Sequence, residues 1–309
     1  MIFIKSVCAM LAVTASLAFS QANTLTDAEK AAGWVLLFDG KTLNGWHKKQ
    51  ETVTTTSWVI NDSAIYRSPT SAGNIYSPAV VESFELSIDW KLKDDNGNSG
   101  IWMRIMESLT EDNRSGPEIQ ICGKGLKDYA IDRRTVGACY MMYHPNPAPE
   151  AWVKPTGQWN TFRVIMDGKK VQHWGNGTKM VEYEIGSDDW ISRQNQAENR
   201  IKNARYGEVH YGSFVLTDHQ TNVWYRNIKV RPLAGTQVKS GFPGWNPPVA
   251  VRHRISDKRA KATGFMIGSL ESFAGTVLSV DGKRLTLRSG PISGHVASGA
   301  YLLQARESK

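Results

Sequence analysis

The chain has 309 residues and a formal net charge of +8, from 37 Lys and Arg against 29 Asp and Glu. That length holds one large β domain with an extension, or two modest domains. The charge is unevenly placed: residues 235–309 carry eleven Lys and Arg against four Asp and Glu, while Asn23 to Ala234 carry 25 of each, so the main body offers no basic face for nucleic acid.

Lys5 precedes an apolar run from Cys8 to Phe19, which ends at Ser20-Gln21-Ala22. This predicts a secretory signal peptide over residues 1–22 and an exported product, periplasmic, at the cell surface or secreted. Cys8 lies too early, with apolar residues after it, to anchor a lipoprotein. No later run is long and apolar enough to span a bilayer. Thr24 to Ala32 reads as a short capped helical turn and Trp34 to Phe38 as a first strand, closed by the turn Asp39-Gly40. Trp58 to Ile60 and Ala64 to Tyr66 flank Asn61-Asp62-Ser63 as a hairpin, and Gly73 to Ser77 gives another strand.

Phe84 to Cys122 reads as three strands. In the first, Phe84, Leu86, Ile88, Trp90 and Leu92 alternate with Glu85, Ser87, Asp89 and Lys91, the pattern of a strand with one buried face. After the turn 94–97, the second puts Ile101, Met103 and Ile105 on one face and Asn98, Trp102 and Arg104 on the other. The third sets Ile119 and Ile121 against Glu118 and Gln120. A Trp, an Arg, a Glu and a Gln projecting together from the side away from the core suit a sugar, which needs an apolar ring to stack on and polar forks beside it.

Gly125 to Arg134 is a polar loop. Thr135 to Tyr143 reads as a strand, ended by the proline-rich loop that begins at His144. Two tandem hairpins follow over 160–185, turning at Asp167-Gly168 and Gly175-Asn176-Gly177, with His173 on a sheet face. Such a meander is expected of an antiparallel sandwich. Ser187 to Ile201 is the one convincing helix, with Ser187 as its N-cap. Gly207 to Thr217 and Val223 to Arg231 are the last sheet strands, joined by Asp218-His219-Gln220-Thr221-Asn222. Residues 234–263 read as a basic linker rich in Gly and Pro, and 264–309 as a short β module with a hairpin over 275–287 and a strand over 296–305. Cys122 and Cys139 each fall in a predicted strand, so a disulfide and two small buried thiols both fit.

The segments GNSGIWMR and GPEIQI, with LLFDGKTLNGW upstream and TDHQTNVWYRNIKVR downstream, resemble the bacterial 3-keto-disaccharide (3-keto-glycoside) hydrolase or lyase family, over residues 33–232. The resemblance implies a concanavalin- or laminarinase-like jelly-roll β-sandwich, here residues 30–233. It also implies an exported enzyme that cleaves 3-keto-glycosides, fed by a sugar 3-oxidoreductase acting upstream. A non-catalytic carbohydrate-binding domain on the same fold is the alternative. The C-terminal SGAYLLQAR resembles a type IX secretion sorting signal, with an accessory hairpin module or a disordered tail as the other readings. Relatives usually have Gly after the His of the TDH stretch, where this chain has Gln220, and often an acid at the position of Gly123.

A 3-ketone acidifies the C2 proton, so cleavage needs a base near C2, a donor or cation on the enolate oxygen, and an acid at the leaving oxygen. On the resemblance, Glu118 is the base or acid, Arg104 the oxyanion clamp, and His144 and His219 assist proton transfer. Trp102 would stack on the ring, with Gln120, Asn98 and Asp218 binding substrate. A divalent metal ion held by Asp, Glu and His from different strands is left open, because such a site has no local spacing. The paired-Glu strand of laminarinase-like hydrolases, a serine nucleophile elbow and a phosphate loop are all lacking.

Overall fold

The computed structural model describes residues 21–49, 58–67, 73–107, 115–197, 201, 206–233, 235–241 and 246, and the backbone of three strands between 275 and 304. Residues 1–20 of the expected signal peptide, most of the linker and the turn at 280–283 lie outside the described residues. The chain divides into two units, Met1–His253 and Arg254–Lys309.

The first unit contains, in order, α1 (Asp27–Ala31), β1 (Val35–Leu36), β2 (Trp58–Asn61), β3 (Ala64–Arg67), β4 (Ile75–Val81), β5 (Phe84–Leu92), β6 (Asn98–Ile105) and β7 (Glu118–Cys122). It continues with β8 (Asn160–Asp167), β9 (Lys170–Gly175), β10 (Thr178–Glu184), α2 (Asp188–Gln196), β11 (Gly212–Leu216), β12 (Val223–Pro232) and β13 (Lys239–Ser240). The strands form two antiparallel sheets. The larger runs β10-β9-β8-β5-β12-β3-β2, with β1 also on β12, and the smaller runs β13-β4-β11-β6-β7. One apolar cluster joins them: Leu86, Ile88 and Trp90 of β5, Phe162 and Val164 of β8 and Tyr225 of β12 meet Ile101, Met103, Ile119, Ile121, Phe214 and Leu216 of the smaller sheet. Burying each such side chain is worth about 1.5–3 kcal/mol. This is the all-β jelly-roll sandwich that the alternation and the resemblance imply. The second unit holds a three-stranded antiparallel sheet, β14 (Gly275–Ser279) between β15 (Arg284–Leu287) and β16 (Tyr301–Gln304).

Local chemistry sets the helices. Thr26 caps α1 by accepting from Glu29 N, and Glu29 answers at Thr26 N. Ser187 caps α2 by accepting from Trp190 N at 3.2 Å. The helix ends at Gln196, short of the expected Ile201.

Two further expectations change. Residues 135–143 are not a regular strand. The segment touches β7 through Gly137 N to Gln120 O and Tyr140 N to Glu118 O, both 2.9 Å, but Gly137 and Met141 have φ of +86° and +64° and turn it away. Gly137 must be glycine, since a Cβ there would press on the Trp152 ring. Arg104 is the second. Its φ is +54°, and between the pairs Trp102–Val215 and Ile105–Ser213 β6 has one residue more than β11. That bulge, Met103 and Arg104 standing against the single residue Phe214, reverses the alternation, so Ile105 leaves the core face and joins Trp102, Tyr76 and Val215 outside. Of the two readings open for the cysteines, Cys122 and Cys139 are free buried thiols; burial above all pushes each thiol up to about 12.

His173 is fully buried in the larger sheet, with Nε2 3.2 Å from Tyr183 Oη. Burial lowers its pKa to about 4, so the folded state holds it neutral while the unfolded chain takes up a proton below the ordinary value of 6.5. Stability that is complete above 6.5 is therefore lost as the pH falls toward 4, by about 3 kcal/mol if this shift acts alone. Urea unfolding across that range should show the loss in the parent chain and a flatter profile in His173→Gln. Equal slopes in the two would remove His173 from the account.

Candidate active site

The outer face of the smaller sheet is ordered by register. Val215 stands opposite Tyr76 on one side and Trp102 on the other, and Trp102 opposite Glu118. The next row brings Gly100 opposite Gln120. On its other side Thr217 N donates to Gly100 O at 3.0 Å. Phe214 and Leu216 point into the core and Val215 outward, and the same alternation carries Thr217 outward.

Glu118 lies across this second row. A methyl group on Gly100 would collide with Glu118 Oε1, Cδ and Cγ, so the side chain of Glu118 rests on the bare backbone of Gly100. Glu118 is 6% exposed and Gln120 2%. The carboxylate is felt through the sheet: beside burial, its charge helps hold the Cys139 thiol and the Tyr225 phenol above their ordinary values. Gln120 Nε2 donates to Asn98 Oδ1 at 3.4 Å. Asn98 is tied to the β11–β12 loop, since its N donates to Thr221 Oγ1 at 2.9 Å and its O accepts from that hydroxyl at 2.6 Å.

Trp102, Glu118, Gln120 and Asn98 are thus brought together. Trp102 is packed against Tyr76, Ile105 and Val215 rather than standing free as a stacking platform. Arg104 is not part of the group. Its Nε donates to Glu82 O and its Nη2 to Gly168 O, each at 2.7 Å, so it fastens the turns after β4 and β8; burial lowers its pKa to about 10. The clamp role expected of Arg104 therefore has no geometric support. His144 is also elsewhere, exposed in a cleft with Tyr143, Lys179, Glu182 and Arg193, which shares no residue with the Glu118 face. His219 is exposed in the loop directly after Thr217, at the rim of the site.

Asp218 organises that loop. Its Oδ1 accepts from Arg67 Nε at 2.6 Å and from Gln220 N at 2.7 Å, and its Oδ2 from Gly73 N at 2.8 Å. The side chains of Arg67 and Asp218 are 0% and 5% exposed. These contacts make Asp218 the counter-ion of a buried arginine, in place of the substrate contact expected of it.

Residues 33–231 match the family of 3-keto-alpha-glucoside-1,2-lyase-like domains. The chain belongs to this family. A relative named 3-keto-disaccharide hydrolase, from Bacteroides thetaiotaomicron, is 26% identical over 246 residues, which are 71% of this chain and 84% of that protein. A crystal structure from Parabacteroides distasonis, of a protein provisionally described as a glycosyl hydrolase, is 30% identical; the match covers 69% of this chain and all of that one, with a TM-score of 0.60. A second from the same organism, at 23% identity and a TM-score of 0.51, covers 65% of this chain and 99% of its own, and shares the fold.

The sequence reading missed Gly100, Thr217 and the cluster beside Tyr76, where His47 Nε2 lies 3.1 Å from both oxygens of Glu107 and Ser213 Oγ 3.2 Å from Glu107 Oε1. A glycine in the middle of an apolar strand was the available signal for the first. Among the described residues no three His, Cys, Asp or Glu side chains converge as a metal site would require.

Breaking the Arg67–Asp218 pair leaves a buried charge without its partner, at a cost of about 3–5 kcal/mol. Asp218→Asn should lower the urea midpoint of unfolding accordingly. A change under about 1 kcal/mol would show that the loop does not depend on this carboxylate.

Proposed function

We propose that this chain cleaves 3-keto-glycosides by elimination and hydration, with Glu118 as the base. The observation that carries the proposal is a buried carboxylate on the sheet face away from the core, laid over the bare backbone of Gly100. The relative named as a 3-keto-disaccharide hydrolase supports the substrate class.

In this reading Glu118 takes the C2 proton. The electrons of the C–H bond form C2=C3, and the carbonyl π pair moves to O3. When the enolate collapses it restores C3=O, forms C1=C2 and expels the glycosidic oxygen, which needs a proton as it leaves. His219, exposed in the loop after β11, is our candidate for supplying that proton. Water then adds across C1=C2, and the net change is hydrolysis. Gln120 and Asn98 are the amides for sugar hydroxyls. Because the ketone must exist first, a sugar 3-oxidation has to precede this step.

The test is release of the aglycone from a panel of 3-keto-glycosides, with unoxidised glycosides as controls and with chelator in a parallel series. Release from the keto forms alone is expected, and Glu118→Gln should lower it by about 10²–10⁴-fold while leaving sugar affinity within a few fold. Saturable binding of plain sugars with no release from any keto form would instead make the domain a binding module. Gly100→Ala gives a second check. The added methyl meets the carboxyl end of Glu118 rather than backbone, so the fold should keep its melting temperature within a few degrees while turnover falls at least tenfold. Unchanged turnover in Gly100→Ala would separate the carboxylate's position from the chemistry.

A further inference from the structure

We propose that the Thr217 hydroxyl is the oxyanion donor of this site, binding the C3 carbonyl oxygen of the keto-sugar and holding its charge in the enolate. The inference rests on the cleavage reading above and adds to it the residue that recognises the ketone. Buried polar groups are ordinarily hydrogen-bonded. Thr217 is 1% exposed, and its Oγ1 has no hydrogen-bond partner among the described residues. The hydroxyls around it are engaged: Ser99 Oγ donates to Thr217 O and accepts from Tyr225 Oη, each at 2.6 Å, on the inner side, and Thr221 is bound to Asn98. Thr217 alone of these three keeps its proton uncommitted, and it faces the side of the sheet where Glu118 lies.

Position gives that proton a use. Thr217 and Gln120 flank Gly100 in one row, and the carboxyl group of Glu118 lies over Gly100 between them. Adjacent strands are about 4.8 Å apart. The base and the hydroxyl are therefore separated on the scale of the C2–C3–O3 unit of one sugar ring. When Glu118 removes the C2 proton, charge builds on O3, two bonds away, and a donor fixed in advance at that distance is what stabilises it. A plain glycoside has a hydroxyl at C3 and develops no such charge, so Thr217 should act on keto substrates in turnover and add little to the binding of unoxidised ones.

The test compares Thr217→Val, which keeps the shape and removes the hydroxyl, with Thr217→Ser, which keeps the hydroxyl. Both are made in the full chain and assayed on a 3-keto-glycoside. Removing one oxyanion donor costs about 10²–10³ in kcat, so Thr217→Val should lose that much with KM within a few fold, and Thr217→Ser should stay within tenfold of the parent. Exchange of the C2 proton with solvent deuterium, which reports enolate formation alone, should slow in Thr217→Val by the same factor. Melting temperatures of the two variants separate a folding defect from a chemical one. Turnover and exchange in Thr217→Val within threefold of the parent would overturn the assignment. If the parent chain neither cleaves nor exchanges, the cleavage reading fails by itself, and affinity decides Thr217: weaker binding by Thr217→Val of the keto-sugar but not of the plain one supports it, and equal binding of both overturns it.

Discussion

The side-chain alternation of β6 and β7 couples the core to the site. Ile101, Met103, Ile119 and Ile121 are buried between the sheets, and because side chains in a strand repeat every second residue, a slip of one position would turn all four into water. At about 1.5–3 kcal/mol for each side chain, that slip is closed to a folded domain. Trp102, Glu118 and Gln120 therefore face outward because their neighbours must face inward. The bare backbone of Gly100 then lets the Glu118 carboxylate lie flat along the sheet. The rigidity of the site is inherited from a core it does not belong to.

The loop that frames the site is fixed at its roots. Asp218 holds Arg67, Gly73 N and Gln220 N, while Asp218 N donates to Asn74 Oδ1 at 2.9 Å. Thr221 is bound to Asn98 at the other end. Between these ties only His219 and Gln220 are exposed. Gln220 takes a φ of +59°, a left-handed value that glycine adopts freely, so the turn is held at some conformational cost. Short, doubly anchored loops of this kind can present an imidazole without letting it wander.

Much of this was legible in the sequence, and the failures have a common origin. The inward set of Ile101, Met103, Ile119 and Ile121 follows from local alternation, and so does the outward placement of Trp102, Glu118 and Gln120. Arg104 and Ile105 were misplaced because a left-handed residue in β6 reverses the alternation, and no local signal marks an arginine for that conformation. Residues 135–143 read as a strand because their apolar content is high, while Gly137 and Met141 bend the backbone. The role of Thr217 depends on β11 lying beside β6, a pairing between residues 117 positions apart; a threonine at a strand end carries no mark of it. Composition and period report which face a residue is on, but the neighbour on that face comes from the topology.

The displacement of Arg104 bears on the chemistry. A guanidinium beside Glu118 would stabilise the carboxylate and weaken it as a base, as well as drawing the anion of any substrate toward a fixed charge. In the Gly100 row the flanking groups are instead a hydroxyl and an amide, from Thr217 and Gln120. Neutral donors strengthen their bonds as charge develops on the partner oxygen. In the proposed cleavage the charge develops on the oxygen of the C3 ketone, and donors of this kind would hold it there without a fixed charge of their own.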